Sequence, residues 1–158
     1  MRLITAEELR KHVVADDWQD AELAIKGNAA EQYAEKYLNR ALFKDETEFE
    51  TAVQAIPTEA AAARSALNAA LAAADLIEDE EVAKLMRDNA NIAYDNAWRS
   101  LRAIANGMIA NDDIKSAILL HAGHLWANRE GVVVGADSVE VPMATNALLR
   151  QYRVYEGL

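Results

Sequence analysis

The sequence predicts a mainly α-helical fold, a bundle with long helices plus one small β-hairpin near the C-terminus. Three observations carry this. Apolar residues recur every three or four positions along most of the chain. Helix-capping signals precede those periodic runs. Only one stretch, "GVVVGADSVEVP", reads as strand rather than helix. At 158 residues the chain fits one domain. Apolar residues make up 52%, much of it alanine, and aromatics only 6%, which suits closely approaching helices better than a thick core of large side chains.

The first helix, over about 5–13, begins at "ITAEELRKHV". Thr5 stands at the N-cap with Glu8 three residues on, a capping box, and Ile4 and Leu9 occupy the flanking staple positions. Asp17 is placed to cap the second helix, with Asp20 three residues later. Leu23, Ala30, Tyr33, Ala34, Tyr37, Leu38 and Ala41 follow at helical spacing. Gly27 interrupts that face, as either a close helix contact or a bend. Thr47 and Glu50 repeat the capping-box spacing, and Pro57 is expected to end that helix.

Two long helical segments come next. The first, "TEAAAARSALNAALAAADLIED", is alanine-rich. In the second, Val82, Leu85, Asn89, Ile92, Asn96, Arg99 and Ala103 form a 3-4 stripe. Its asparagines either face water or fix the register of a helical hairpin. Asn106-Gly107 reads as a C-cap. Asn111 caps the next helix, and Asp112 and Asp113 complement the positive end of its dipole. Ile114, Ala117, Ile118, His121, Ala122 and Leu125 form its apolar face. Arg129 falls in its last turn and Gly131 stops it.

Val132–Val134 and Val139–Val141 then read as a hairpin around a loop with Gly135 and Asp137. Pro142 ends it, and "MATNALLRQYRVY" gives a last short helix and a tail. A lone two-stranded hairpin is marginal in water, and three consecutive valines leave both faces apolar. It needs cover from the chain's own helices or from another subunit.

Net charge is −10, and the basic residues are scattered singly. That argues against a protein that grips nucleic acid through its phosphates, though not against one that surrounds DNA loosely. With no cysteine there is neither a disulfide framework nor thiolate chemistry. No run approaches a membrane span, and the charged first dozen residues do not read as a secretory leader. Phosphate loops, nucleophile elbows and His-Glu-x-x-His motifs are missing from the sequence. His121 and His124, three apart on a helix, are the one pair to weigh for a shared metal. With no cysteine and no Glu-x-x-His partner, His121 reads better as a hydrogen-bonded core residue. No catalytic residue, metal or cofactor is expected.

The C-terminal residues carry a resemblance. "DIKSAILLHAGHLWANREGVVVG" followed by "VEVPMATNALLRQYRV" resembles the signature of the head–tail connector (adaptor, head-completion) proteins of long-tailed bacteriophages and prophages. There a helix of the type "I..AILLL.GHWYENRE" leads into a valine-rich segment ending in glycine. A proline step, a short helix with paired leucines and a "YR" close follow. The matching positions on the long helix are Ile114, Ala117, Ile118, Leu119, Leu120, Gly123, His124, Trp126, Asn128, Arg129 and Glu130. Val132, Val133, Val134 and Gly135 match the valine segment, and Pro142, Leu148, Leu149, Tyr152 and Arg153 match the close. "ITAEELRKHV..DD..D" with "YAEKYLNRAL" resembles the family's opening helices. The likeness covers about residues 3–43 and 112–155. Residues 44–110 depart from the pattern, as an inserted or expanded pair of helices.

The resemblance implies a structural virion protein, not an enzyme. It would form a ring, a dodecamer in the virion, beneath the portal protein, extend the DNA channel and support the next neck or tail protein. Residues expected at a subunit or portal contact are Trp126, Asn128, Arg129, Glu130, Val132, Val133, Val134, Tyr152 and Arg153. Arg129 also reads simply as a cation capping its helix. Two other readings stay open: a small helical protein-binding module or regulator without a portal partner, and a helical metalloenzyme holding a metal at His121 and His124.

Overall fold

Ala6–Val13 (α1), Asp20–Leu38 (α2), Glu46–Ala74 (α3), Glu80–Ala105 (α4), Asp112–Ala127 (α5) and Met143–Arg150 (α6) are helical in the computed structural model of the chain. The structure describes residues 1–128 and 143–155. Two two-residue strands, Leu42–Phe43 (β1) and Met108–Ile109 (β2), pair in parallel, with Leu42 opposite Met108 and Phe43 opposite Ile109. The fold is thus mainly α. The valine hairpin expected over 132–141 lies outside the described residues.

The chain divides into two compact units. One comprises residues 1–46 with 108–158, the other 47–107. In the first, α2 and α5 form the central pair, α1 packs on both, and α6 packs on α5 and α2. Leu9, Leu23, Leu38, Leu42, Ile114, Ile118 and Leu149 are fully buried there. At about 25 cal/mol per Å² of apolar surface, each such side chain contributes about 2 kcal/mol. Alanines at 30, 34, 117 and 122 fill the spaces between them.

Thr5 caps α1 as the spacing predicts. Its hydroxyl accepts from the Glu8 N–H at 3.1 Å, and the Glu8 carboxylate accepts from the Thr5 N–H at 2.7 Å. The staple residues Ile4 and Leu9 are both buried. The second cap differs from the expectation. Asp17–Gln19 forms a 3-10 turn leading straight into α2, and the Gln19 side chain accepts from the Asp16 N–H. The pairing therefore sits one residue earlier than the Asp17 and Asp20 spacing suggests.

Gly27 is a close contact, not a bend. A methyl group there would lie 2.7 Å from Met1 Cγ and 3.3 Å from Leu9 Cδ2, and α2 runs on without a break. The helix ends earlier than Ala41, because Asn39 turns left-handed at φ 54° and Leu42–Phe43 pair as strand instead.

The N-terminal segment is held by one buried carboxylate. Glu31 on α2 accepts backbone N–H bonds from Arg2, Leu3 and Ile4 at 2.8–3.2 Å. Those donors precede a helix, whose own ladder cannot serve them, and the carboxylate accepts from all three.

In the second unit, α3 and α4 are joined by a short turn into a helical hairpin. Pro57 does not end a helix; α3 passes through it. Pro57 and Val53 both lie on the exposed side, where water can replace the hydrogen bond that proline removes. Thr47 consequently lies inside the first turn rather than at a cap. Asp79 caps α4 through the Glu81 and Val82 N–H groups, and Arg87 bridges Asp75 at 3.1 Å and Glu80 at 3.0 Å across the hairpin's tip.

The buried side of α4 is not the predicted stripe. Ala83, Ala90 and Leu101 face inward, while Val82, Leu85, Met86 and Ile92 are exposed, as are Asn89 and Asn96. Two periodic stripes run one residue apart on this helix, and spacing alone does not say which of them turns inward. Between α3 and α4 lies an apolar groove lined by Ile56, Ala63, Ala66, Ala97 and Leu101.

Candidate functional site

Of the residues singled out for contact, Trp126 and Asn128 lie at the C-terminal end of α5, and Tyr152 and Arg153 along the tail that returns to its start. Asn111 caps α5, its side-chain oxygen accepting from the Ile114 N–H at 3.0 Å. At the other end Asn128 folds back, donating its amide to the His124 carbonyl at 2.9 Å, with the amide nitrogen 3.1 Å from His124 Nδ1. Asn128 is thus an exposed C-cap. Trp126 is half-buried and packs on the core of the first unit, so its ring is shared between core and surface. Arg129, Glu130, Val132, Val133 and Val134 lie outside the described residues.

Tyr152 and Arg153 occupy the tail after α6. The Tyr152 hydroxyl donates to Asp113 Oδ2 at 2.8 Å and so ties the tail to the first turn of α5. That bond to a carboxylate, which favours the protonated phenol, raises the Tyr152 pKa above 10.0; Asn111 opposes it and slight burial adds to it. Beyond it the Val154 N–H donates to the Leu38 carbonyl at 2.9 Å, and the Asn39 amide donates to the Val154 carbonyl at 3.0 Å. The tail therefore closes the end of α2. Arg153 then stacks its guanidinium on two rings, 5.1 Å from the centre of Tyr37 and 5.3 Å from that of Tyr155.

His121 and His124 part in their environments. His121 is buried and lies against Tyr33, ring centres 4.2 Å apart. Its Nδ1 finds no hydrogen-bond partner among the described residues. The expectation of a core histidine holds, with the ring stacked on Tyr33 and Nδ1 without the expected hydrogen bond among the described residues. Burial first, and His124 second, lower its pKa below 6.5. His124 instead meets Asn128 near the surface. Among the described residues no group of three or more His, Asp or Glu side chains is placed to hold a metal ion. No described helix is long and apolar enough to cross a membrane.

Sequence reasoning passed over several groups that the fold makes prominent. Trp18 is 77% exposed, and Met86 joins the α4 stripe already legible at Val82, Leu85 and Ile92, which faces outward. Glu31 is the buried carboxylate that organises the N-terminus. A charged residue on the apolar side of α2 is the signal that could have pointed to Glu31. An exposed tryptophan has no local signature. Compared with family models, curated proteins and solved structures, the chain finds no match in any of the three.

Proposed function

We propose that the protein is a structural virion component, a head–tail connector whose ring sits beneath the portal, extends the DNA channel and supports the next neck or tail protein. One observation carries the reading. The two stretches that resemble the connector signature, 3–43 and 112–155, are far apart in the chain yet fall in one compact unit, where α2 packs on α5 and α5 on α6. The segment that departs from the pattern, 44–110, nearly coincides with the other unit, 47–107. An ordered pair of resemblances that folds together is what a shared domain with an inserted helical hairpin would give.

The surface is compatible with an assembly subunit. Large apolar side chains stand exposed on α4 and around Trp18, and such surface on a folded chain marks contact with other proteins. The acidic balance suits a channel through which DNA slides without being held. The virion neck would be its place, and the host cytoplasm its place during assembly. Arg129, Glu130 and the valine run would contribute to the seam or to the portal contact.

The experiment is direct. Purified protein is mixed with portal rings from the phage or prophage that encodes it, and the mixture is sedimented and imaged by negative stain. A ring-shaped layer added to the portal is the expected result. A protein that remains monomeric or dimeric and does not co-sediment is a helical binding module instead.

A further inference from the structure

The exposed apolar side chains of the first unit are not spread evenly. Val14 is 91% exposed, Trp18 77% and Ile25 66%, all between the end of α1 and the second turn of α2. Trp18 stands on the 3-10 turn that leads into α2, and Ile25 follows seven residues on, in the second turn of α2. Val14 flanks them, as the left-handed residue that closes α1 at φ 54°. The charges around this edge are mainly acidic. Asp20 is occupied by Arg10 at 2.9 Å, and Lys11 by Glu7 at 2.7 Å. Glu22 and Lys26 carry opposite charges four residues apart on α2, and Asp16 and Asp17 directly precede Trp18 in the chain.

The far end of α2, about 28 Å away at 1.5 Å per residue, has the opposite character. There Arg153 lies between Tyr37 and Tyr155, Tyr155 is 55% exposed, and Lys36 and Arg150 are exposed nearby. The nearby Glu35 is already engaged by Arg2 at 2.8 Å. The tail bonds to Leu38 and Asn39 hold this edge in place. One end thus offers tryptophan and carboxylates, the other tyrosines and guanidinium. Trp, Tyr and Arg are the side chains that dominate contact energetics, and complementary charge excludes wrong pairings.

We propose that the acidic apolar edge around Trp18 docks on the basic aromatic edge around Arg153 of a second copy of this chain, head to tail. Pairing the Trp18 edge with itself would set Asp16 and Asp17 against the same two carboxylates, which like-charge repulsion opposes. A contact between two different edges repeats from copy to copy and either closes into a ring or runs on as a filament. Closure into a ring rests on the connector reading; the contact itself does not.

The test uses the full chain, in which no native cysteine interferes. Self-association of the wild type is measured by sedimentation equilibrium, alone and with portal present. Trp18→Ala should weaken it at least tenfold with an unchanged far-UV circular dichroism spectrum. Single variants Trp18→Cys and Tyr155→Cys should each stay uncrosslinked under mild oxidation and form a disulfide only when mixed. A wild type that stays monomeric under all these conditions overturns the proposal. So does self-association that Trp18→Ala leaves intact, or crosslinking of Trp18→Cys with itself. Portal binding that survives in Trp18→Ala keeps the connector reading while removing this seam. Loss of portal binding by the wild type removes the connector reading and leaves the head-to-tail contact to the crosslinks.

Discussion

His121 stacks face to face on Tyr33, ring centres 4.2 Å apart and planes 20° from parallel, with its Nδ1 unpartnered among the described residues. The stack joins α5 to α2, and the Tyr33 hydroxyl carries the link on to Asn146 of α6 at 2.8 Å. Burial holds the folded-state pKa of His121 below its ordinary 6.5. The folded protein therefore binds fewer protons here than the unfolded chain does. The stabilisation from a neutral His121 is fully present above about pH 6.5 and is lost as the pH falls through the lowered value. Urea denaturation at pH 7.5 and at pH 5.5 should show a drop for the wild type that is smaller in His121→Phe. Equal drops in both would mean that other groups dominate.

Glu31 is expected to matter more than its single charge suggests. Its carboxylate is the acceptor for three consecutive backbone N–H groups, two of them on the buried residues Leu3 and Ile4. Glu31→Ala takes this acceptor from the buried Leu3 and Ile4 N–H groups, at a cost on the order of 3 kcal/mol. Glu31→Gln keeps one acceptor oxygen and should lose roughly half as much. Hydrogen exchange would show the effect first in α1, whose entry the carboxylate fixes.

Pro57 gives a prediction of the opposite sign. Proline in a helix interior costs about 3 kcal/mol relative to alanine. Since α3 runs through Pro57 on its exposed side, Pro57→Ala should restore the missing donor and stabilise the hairpin by about 1–3 kcal/mol. A rise in the thermal midpoint of the 47–107 unit checks this. A fall would show that the proline sets a bend the hairpin needs.

Two helix starts and one single-sided periodicity are legible in the sequence itself, whereas the same spacing misplaced the caps at Asp17 and Thr47. Thr5 with Glu8, Asn111 with Ile114, and the buried face of α5 stand where their spacing puts them. What stayed hidden depended on partners distant in sequence. β1 and β2 are two residues each, too short for a pattern, and exist because residues about 65 apart meet. Gly27 shows its purpose only beside Met1 and Leu9. Of the contact residues, Trp126 and Asn128 turn out to have local structural roles, packing and capping, that sequence spacing alone did not separate from an outward-facing one.

The α4 stripes separate fold from assembly. Val82, Leu85 and Ile92 are 44%, 59% and 58% exposed, so polar replacements there remove little buried surface. Leu101, one of the inward residues on the same helix, is buried. Leu101→Ala should cost about 2–4 kcal/mol through lost burial and a residual cavity. The triple change Val82→Gln, Leu85→Gln, Ile92→Gln should shift stability by less than about 1 kcal/mol, because surface substitutions usually do. If the outward stripe serves an assembly, the triple variant should keep its helical spectrum and melting temperature but lose association with portal or with itself. Leu101→Ala should do the reverse, assembling at low temperature and melting early. Should the triple variant unfold instead, those side chains belong to a core completed within one chain. If it assembles as the wild type does, the stripe plays no part in the seam.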